Sequence, residues 1–232
     1  MCTGDDVIVP IDYKQIKRQA WIKNSNEVDT TNPEVMLKIT NRAELMGVDP
    51  SELANAVNND DYLRMMFAKD PSKQNIFETG ALEFLCSIPG VKSVTKLPAA
   101  GPNAIYVDNH VLSLGETGKT TRKGTKSKSI DFKIELGILG KSKRDTTIYA
   151  MHKYTEHVGG AQDNQFQDII TFLENVPLKR VECFVALLDG NYYTPKMANM
   201  KKEYTVVGHR RVMTSNEFEI DVLNGVIFNE NY

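Results

Sequence analysis

Two side chains near the middle of the chain have the chemistry that hydrolysis requires. Asp131 lies on the polar face of a predicted strand, and Lys153 closes the next predicted strand, 22 residues later. A hairpin between the two strands would place the carboxylate beside the ammonium group. A carboxylate can bind a divalent cation that activates water, and a lysine can orient that water and stabilise developing negative charge. The pair is therefore suited to phosphodiester hydrolysis, although such pairs also occur in proteins with other functions.

Hydrophobic patterning predicts the elements that position this pair. Residues 129–140 alternate between apolar and polar side chains, a period that favours a half-buried strand. The next strand is predicted over 146–155, a helix over 161–176 and a fully buried strand over 180–190. A last helix begins at Ser215, which is its predicted N-cap. This order predicts an α/β fold with a central mixed β-sheet flanked by helices.

The chain divides into two predicted regions. Residues 1–70 are mostly helical by pattern, and residues 71–232 form the α/β core. Within the helical region, Asp49 is placed to cap a helix that has Pro50 in its first turn. Two roles stay open for this region: it is a packing or dimerisation element, or a cap that helps to grip a partner.

Charge is distributed unevenly along the chain. The segment 119–144 contains nine basic and two acidic residues, so it carries a net +7, whereas the whole chain carries −2. A local basic band on an acidic protein is typical of a phosphate-binding surface, and a solvated lysine-rich loop is an equally supported alternative. The candidates for phosphate contacts are Lys119, Arg122, Lys123, Lys126 and Lys128.

The sequence also disfavours several classes of protein. No apolar run is long enough to span a bilayer, and none near the start has the pattern of a signal peptide. The cysteines and histidines lack the spacing of a zinc site, and the odd cysteine count favours free thiols in a reducing cytoplasm. The sequence before Gly118 and Lys119 lacks the first glycine of a P-loop, because Ser113 stands there, so no nucleotide cofactor is expected.

The order and spacing of these segments resemble the PD-(D/E)xK nuclease superfamily, and more particularly type II restriction endonucleases. The resemblance extends from about Asp70 to Thr214. The matching segments are the first core helix (68–85), the strand that follows it (97–107), the strand with the first metal-binding aspartate (127–132), the lysine strand with the following helix (149–168), and the next core strand with its turn (185–193). The resemblance implies a restriction-endonuclease-like core for residues 71–232.

The resemblance also implies roles for particular residues. Asp131 matches the metal-binding aspartate and Lys153 the catalytic lysine. Glu78 matches a glutamate of the first core helix that often faces the metal site, and the expected cofactor is Mg²⁺. His152 alternates to the opposite strand face from Lys153, so it is predicted to be a packed or surface histidine and not a catalytic base.

The chain departs from the family pattern at Met151. The family has Asp or Glu two residues before the lysine, and a methionine cannot bind magnesium. Three explanations stay open: the ligand has moved to Gln162 or Asp163 at the start of the following helix, Glu78 supplies the missing charge, or Lys153 is not catalytic. Gln162 and Glu78 are favoured, because Asp163 is well suited to stabilise the positive end of the helix dipole.

Double-stranded DNA is the substrate that the resemblance implies. The basic segment 119–144 would bind backbone phosphates, and contacts with base edges would select a sequence. A homodimer is expected, because two-fold symmetry in the protein matches a symmetric DNA site. The residues predicted to contact bases are Asn191, Lys196, Asn199, Lys201 and Lys202.

The leading hypothesis is a magnesium-dependent, site-specific endonuclease of the restriction type, located in the cytoplasm of a prokaryotic cell. A repair or mobile-element nuclease with the same core is the alternative among enzymes. A DNA-binding protein on a degenerate, non-catalytic nuclease core is the alternative from another class, and Met151 would be the mark of its lost activity.

Overall fold

The structure is a computed structural model that describes residues 10–73, 75–108, 111–114, 128–137, 146–156, 160–177 and 182–225. Its described residues form two compact units. The first is Asp12–Gly80, and the second contains Pro10, Ile11 and the described residues from Ala81 onward. The first unit therefore extends past residue 70, where the predicted helical region ends.

The first unit is helical. Its elements are α1 (Tyr13–Asn26), α2 (Pro33–Met46), α3 (Pro50–Asn59), α4 (Asp61–Phe67), a short 3-10 helix (Pro71–Lys73) and the start of α5 (Ile76–Ser87). Polar side chains cap α1 to α4 by accepting hydrogen bonds from first-turn N–H groups that lack a partner within the helix. These caps are Asp12, Asn32, Asp49 and Asp60. As predicted, Asp49 caps a helix with proline at its start.

Apolar side chains at helical spacing hold this unit together. Ile39 and Ala43 are four residues apart on α2 and are fully buried, and Leu53 and Val57 have the same spacing on α3. These four side chains form one hydrophobic cluster with Phe67 at the end of α4. Burial of each large apolar side chain contributes about 1.5–3 kcal/mol, so packing stabilises these short helices more than their intrinsic propensity does.

The second unit is built around a five-stranded sheet. In chain order the described strands of this unit, three of which (β2 to β4) form a smaller sheet, are β1 (Val91–Lys96), β2 (Ile105–Asp108), β3 (Val111–Leu114), β4 (Lys128–Ser129), β5 (Phe132–Leu136), β6 (Thr146–Tyr154), β7 (Cys183–Asp189) and β8 (Arg210–Met213). The large sheet has the order β1-β5-β6-β7-β8, antiparallel from β1 to β6 and parallel from β6 to β8. The predicted α/β fold with a central mixed sheet flanked by helices is confirmed.

Besides the end of α5, the second unit contains α6 (Gly160–Asn175), α7 (Thr194–Tyr204) and α8 (Ser215–Leu223). The helix α6 connects β6 to β7, which is the crossover that two parallel neighbouring strands require. Across the described ranges of the chain, no helix combines the length and the apolar character needed to cross a membrane.

Strand periodicity divides the core of the second unit into two layers, one on each face of the large sheet. Phe132, Ile134 and Leu136 alternate with half-buried polar residues along β5 and are buried, as predicted. They pack with Leu85 of α5, with Ile88 directly after that helix, and with Phe218 and Val222 of α8. The opposite face presents Tyr149 and Met151 of β6 to a second cluster, which includes residues of α6, α7 and β2. All seven residues of β7 are buried, so the prediction of a fully buried strand is also confirmed.

The start of α8 differs from the sequence-based expectation. Thr214, and not Ser215, is the N-cap, because its hydroxyl accepts from the N–H of Glu217 while the Glu217 carboxylate accepts from the N–H of Thr214. Ser215 is the first helical residue, and its hydroxyl donates to Asp189 instead.

The strand after α5 also lies elsewhere than expected. Residues 105–107 of the predicted strand 97–107 belong to β2, which pairs with β3 and β4 in a separate three-stranded sheet. The strand of the large sheet that follows α5 in the chain is β1. Proline has no N–H for a β-ladder, and Pro98 and Pro102 both fall between β1 and β2.

Gly190, directly after β7, is a position where the fold requires glycine. Its φ is +98°, and a Cβ there would lie 2.3 Å from the carbonyl oxygen of Thr155. Gly101 is a matched control, because its φ is also +98° but no atom lies within 4 Å of a Cβ at that position.

We expect Gly101→Ala to lower the free energy of unfolding by about 1–2 kcal/mol, the cost of the left-handed backbone conformation alone. Gly190→Ala should lower it by about 1–3 kcal/mol more, because backbone atoms of Thr155 must move to accept the methyl group. Denaturant unfolding followed by circular dichroism measures both values. Equal losses in the two variants would show that the contact with Thr155 does not constrain this turn.

Candidate active site

The structure brings Asp131 and Lys153 into contact. Phe132 of β5 pairs with Ala150 of β6, so Asp131 lies where β5 begins and Lys153 lies near the end of β6. Lys153 Nζ is 3.6 Å from Asp131 Oδ2, and the two side chains are 23% and 15% exposed. Partial shielding strengthens the attraction between the two charges, while the remaining exposure leaves the pair accessible to an external ligand.

Hydrogen bonds fix Asp131 from both neighbouring strands. Its N–H donates to the carbonyl oxygen of Ala150 at 3.0 Å, and its own carbonyl oxygen accepts from the N–H of Leu97 at 2.8 Å. The N–H of His152 donates to Asp131 Oδ2 at 2.8 Å. The same carboxylate oxygen therefore faces two groups from consecutive residues of β6, the amide of His152 and the ammonium group of Lys153.

The two residues that precede Lys153 are both buried, on opposite faces of the sheet. Met151 is 3% exposed and belongs to the hydrophobic cluster that includes α6 residues, so it is a core residue with no oxygen to offer a metal ion. His152 is 2% exposed, and its ring centre lies 6.2 Å from that of Phe132. Of the two environments predicted for His152, packed or at the surface, the structure has the packed one.

Asp189, at the end of β7, connects His152 to the start of α8. His152 Nε2 lies 3.2 Å from Asp189 Oδ2. Ser215 donates its backbone N–H to Asp189 Oδ1 at 2.9 Å and its hydroxyl to Oδ2 at 2.6 Å. Burial raises the pKa of Asp189, but hydrogen bonding and charge interaction with His152 and the hydrogen bonds from Ser215 outweigh burial, so the pKa lies below its ordinary value. Asp189 is therefore ionised at neutral pH.

Thr155 attaches the end of β6 to the turn that follows β7. Its N–H donates to the carbonyl oxygen of Asp189 at 3.0 Å, and its own carbonyl oxygen accepts from the N–H of Tyr192 at 3.1 Å. Its hydroxyl lies 3.0 Å from Gln165 Oε1 of α6 and 3.2 Å from the hydroxyl of Tyr193. These contacts hold the ends of β6 and β7 and the first half of α6 together, two residues beyond the candidate lysine.

The sequence pattern did not predict Asp189, Thr155 or Ser215 as neighbours of the site. One signal was available, because Asp189 ends a strand that is predicted to be fully buried, and a buried carboxylate requires hydrogen-bonding partners. The partners themselves come from β6 and α8, and their identity depends on strand pairing that no local pattern encodes.

The other predicted metal ligands lie on the helices α5 and α6. Asp163, in the first turn of α6, is exposed, and its Oδ1 accepts a hydrogen bond from the hydroxyl of Tyr192 at 3.0 Å. Gln162 lies in the same turn, and its side chain is outside the described part of the structure. Glu78 lies in the first turn of α5, within the helical unit, and is half-buried. Within the described ranges, no three His, Cys, Asp or Glu side chains are grouped so that they could hold a metal ion.

The predicted phosphate-binding residues lie largely outside the described residues. Lys128 is described, and its ammonium group forms an ion pair with Asp168 of α6. The four others, which lie outside the described residues, are Lys119, Arg122, Lys123 and Lys126. The prediction of a phosphate-binding segment therefore stays a prediction.

The predicted base-contacting residues divide into two groups. Lys196 Nζ lies 3.5 Å from the ring centre of Tyr192 and 4.5 Å from that of Phe166, a cation–π arrangement. Lys201 forms an ion pair with Glu217 of α8. Both lysines are thus engaged within the protein. The exposed members of the predicted set are Asn191, Asn199 and Lys202.

Comparison of the chain with protein-family models, with curated proteins and with solved structures found no match. The function of this protein must therefore be inferred from its own residues. The feature with the clearest chemical meaning is the Asp131–Lys153 pair at the junction of β5 and β6.

Proposed function

We propose that this protein is a magnesium-dependent endonuclease of the restriction type, which cuts double-stranded DNA at specific sites. The contact between Asp131 and Lys153 carries the proposal. It combines a carboxylate, a ligand for hard cations, with a positive charge in a partly shielded position. Phosphodiester hydrolysis requires both, because water must be activated and negative charge on the phosphate must be stabilised.

The order of elements around the pair supports a restriction-endonuclease-like core. The helix α5 comes first, β1 and then β5 follow it within the large sheet, and β6 ends beside the pair. The helix α6 then leads to β7, which runs parallel to β6. Apart from the strand that the resemblance to PD-(D/E)xK nucleases places at 97–107, this is the order of helix, aspartate strand, lysine strand, helix and strand that it implies.

Asp131 fits the requirements of one magnesium ligand. Magnesium is usually held by one or two carboxylates together with water and substrate phosphates, so a site with a single fixed carboxylate is chemically sufficient to begin an assembly with DNA. Met151 cannot supply a second carboxylate, so Gln162 of α6 would be the preferred further ligand and Asp163 the next. The assignment of Glu78, which lies in the helical unit, as a ligand stays a prediction. When bound, the metal would supply a Lewis acid and an activated water molecule.

Lys153 would act as a fixed positive charge beside the scissile phosphate. Its ammonium group is 3.6 Å from Asp131 Oδ2, so a phosphate next to Asp131 lies within its reach. The group would stabilise negative charge on the phosphate oxygens and orient the attacking water. Because β6 pairs with β7 at Lys153, opposite Leu188, the lysine backbone is already in place before DNA binds.

Contacts with DNA would come from two parts of the chain. The basic segment 119–144 would bind phosphate groups, and the exposed residues at and before α7 would reach base edges. Those exposed residues are Asn191, Asn199 and Lys202. A homodimer would present two such sites to a symmetric DNA sequence, and a restriction enzyme of this kind would work in the cytoplasm of a prokaryotic cell.

A second candidate function is favoured by one observation. Met151 is a fully integrated core residue at the position where the family pattern has an acid. A nuclease core that lost its second carboxylate could persist as a DNA-binding protein without catalytic activity. A protein of this kind would bind DNA through the same surface as the proposed nuclease but would not cut it.

Incubation of the purified protein with plasmid DNA and magnesium tests the proposal. We expect discrete fragments, which disappear when EDTA removes the metal. Asp131→Asn and Lys153→Met should each lower the cleavage rate by about 10²-fold or more, because each removes charge stabilisation at the reacting phosphate.

Lys133 and Glu135 supply a matched control for this experiment. They form an ion pair of 2.6 Å on β5, on the same strand face as Asp131 but farther from the end of β6. Glu135→Gln should cut at the rate of the unmodified protein. Lys133→Met, which removes one basic residue of segment 119–144, should do so when the DNA concentration saturates the protein. A smear of fragments would indicate a nonspecific nuclease, and retarded but uncut DNA would favour the second candidate function.

Lys202 and Lys201 offer a test of the proposed DNA surface. The charge of Lys201 is offset by Glu217, whereas Lys202 is exposed. Without divalent metal, Lys202→Ala should weaken binding to a DNA duplex and lower the slope of log K against log salt by about one, as loss of a phosphate contact predicts. Lys201→Ala should change the slope less. An unchanged slope in Lys202→Ala would remove this lysine from the DNA surface.

A further inference from the structure

Beneath the Asp131–Lys153 pair, three polar residues form a connected and buried group. His152, Asp189 and Ser215 are 2%, 8% and 1% exposed. They come from the ends of β6 and β7 and from the start of α8, three elements that meet on the face of the sheet opposite Lys153. Burial of polar groups is unfavourable unless each finds a partner, so a group of this kind at the edge of a site calls for an explanation.

The contacts within the group are directional. The ionised carboxylate of Asp189 can only accept hydrogen bonds, so Nε2 of His152 carries the proton in their 3.2 Å contact. Ser215 donates to both oxygens of the same carboxylate. The arrangement is not a Ser–His–Asp catalytic triad, because the serine hydroxyl bonds to the aspartate and not to the histidine, and all three residues are buried.

His152 connects this buried group to the candidate active site across the sheet. Its side chain contacts Asp189 on one face, while its backbone N–H donates to Asp131 Oδ2 at 2.8 Å. The next residue, Lys153, places its ammonium group 3.6 Å from the same oxygen. The position of one histidine side chain therefore affects both groups that contact the carboxylate oxygen.

We propose that His152 is a positioning residue for Asp131 and Lys153, and that Asp189 and Ser215 hold His152 in place. The effect on cleavage rests on the proposed nuclease function, whereas the effect on the geometry at Asp131 does not. A chain of hydrogen bonds from α8 through Asp189 and His152 to Asp131 would give the carboxylate one orientation before DNA arrives, which is the preorganisation that catalytic groups require.

The kinetic test compares His152→Leu with His152→Gln. Leucine cannot donate to Asp189, whereas the amide nitrogen of glutamine can replace Nε2. We expect kcat for plasmid cleavage to fall by about 10- to 100-fold in His152→Leu, with KM unchanged, and to recover largely in His152→Gln. Phe218→Leu is the control for lost stability, since this buried residue of α8 belongs to the apolar cluster and not to the polar group. It should leave kcat unchanged.

The second test does not depend on cleavage. The amide proton of His152 is followed by nuclear magnetic resonance in the unmodified protein and in Asp131→Asn, Asp189→Asn and Ser215→Ala. Asp131→Asn identifies the shift that accompanies a weakened hydrogen bond to Oδ2, and the Asp189 and Ser215 variants should move the signal in the same direction. Ser215→Ala is the milder change, because the backbone N–H of Ser215 still reaches Asp189.

The two tests separate failure of this inference from failure of the proposed function. If the unmodified protein does not cut DNA, the amide shifts still decide whether Asp189 and Ser215 control the contact between His152 and Asp131. The inference is overturned if the signal moves in Asp131→Asn but stays fixed in the other two variants. In a protein that cuts DNA, equal kcat values in His152→Leu and His152→Gln would also overturn it.

Discussion

The register of β5 against β6 is the constraint on which the candidate site depends. Side chains alternate between the two faces of a strand, so a slip of one residue would exchange the faces of all of them. The pairing of Phe132 with Ala150 and of Ile134 with Ile148 buries all four side chains in one cluster. Because each large buried side chain contributes about 1.5–3 kcal/mol, a slipped register is strongly disfavoured. Apolar burial on one face thus determines that Asp131 and Lys153 meet on the other.

The end of β6 is supported by different interactions on the two faces of the large sheet. On the face of Lys153, hydrophobic packing from α6 and α7 closes the core and includes Met151, while the charged pair remains partly exposed. On the opposite face, Asp189 gathers hydrogen bonds from His152 and Ser215 in a buried setting. Thr155 and Gly190 then join the ends of β6 and β7. A rigid support of this kind suits a site that must hold opposite charges at a fixed distance.

Local patterns predicted the elements of this fold well, because each pattern reflects the burial of a single segment. The alternation along β5, the continuous apolar run of β7 and the helical spacing of α6 all correspond to observed elements. The N-cap of α8 was placed one residue late, since Thr214 and Ser215 are both good capping residues and only the reciprocal bond with Glu217 distinguishes them. Residues 97–107 were assigned to one strand, although two prolines divide the segment.

The candidate site could be predicted only in part, for a physical reason. The contact of Asp131 with Lys153 follows from a hairpin between strands that are adjacent in sequence, so spacing was sufficient to predict it. The contacts of Asp189 with His152 and Ser215 join residues 37 and 26 positions apart and depend on parallel strand pairing through α6. A ligand in place of the acid expected at Met151 would involve further non-local contacts, and its existence and identity among Glu78, Gln162 and Asp163 stay a prediction.

The central claim is that Asp131 and Lys153 act together on a phosphodiester. Its most direct test is the single-turnover rate of plasmid cleavage in magnesium for Asp131→Asn, Lys153→Met and the double variant. Residues that act as one unit show strongly non-additive losses, so the double variant should be no slower than the slower single variant. Losses that multiply in the double variant, or a single variant that cuts at the full rate, would contradict the claim.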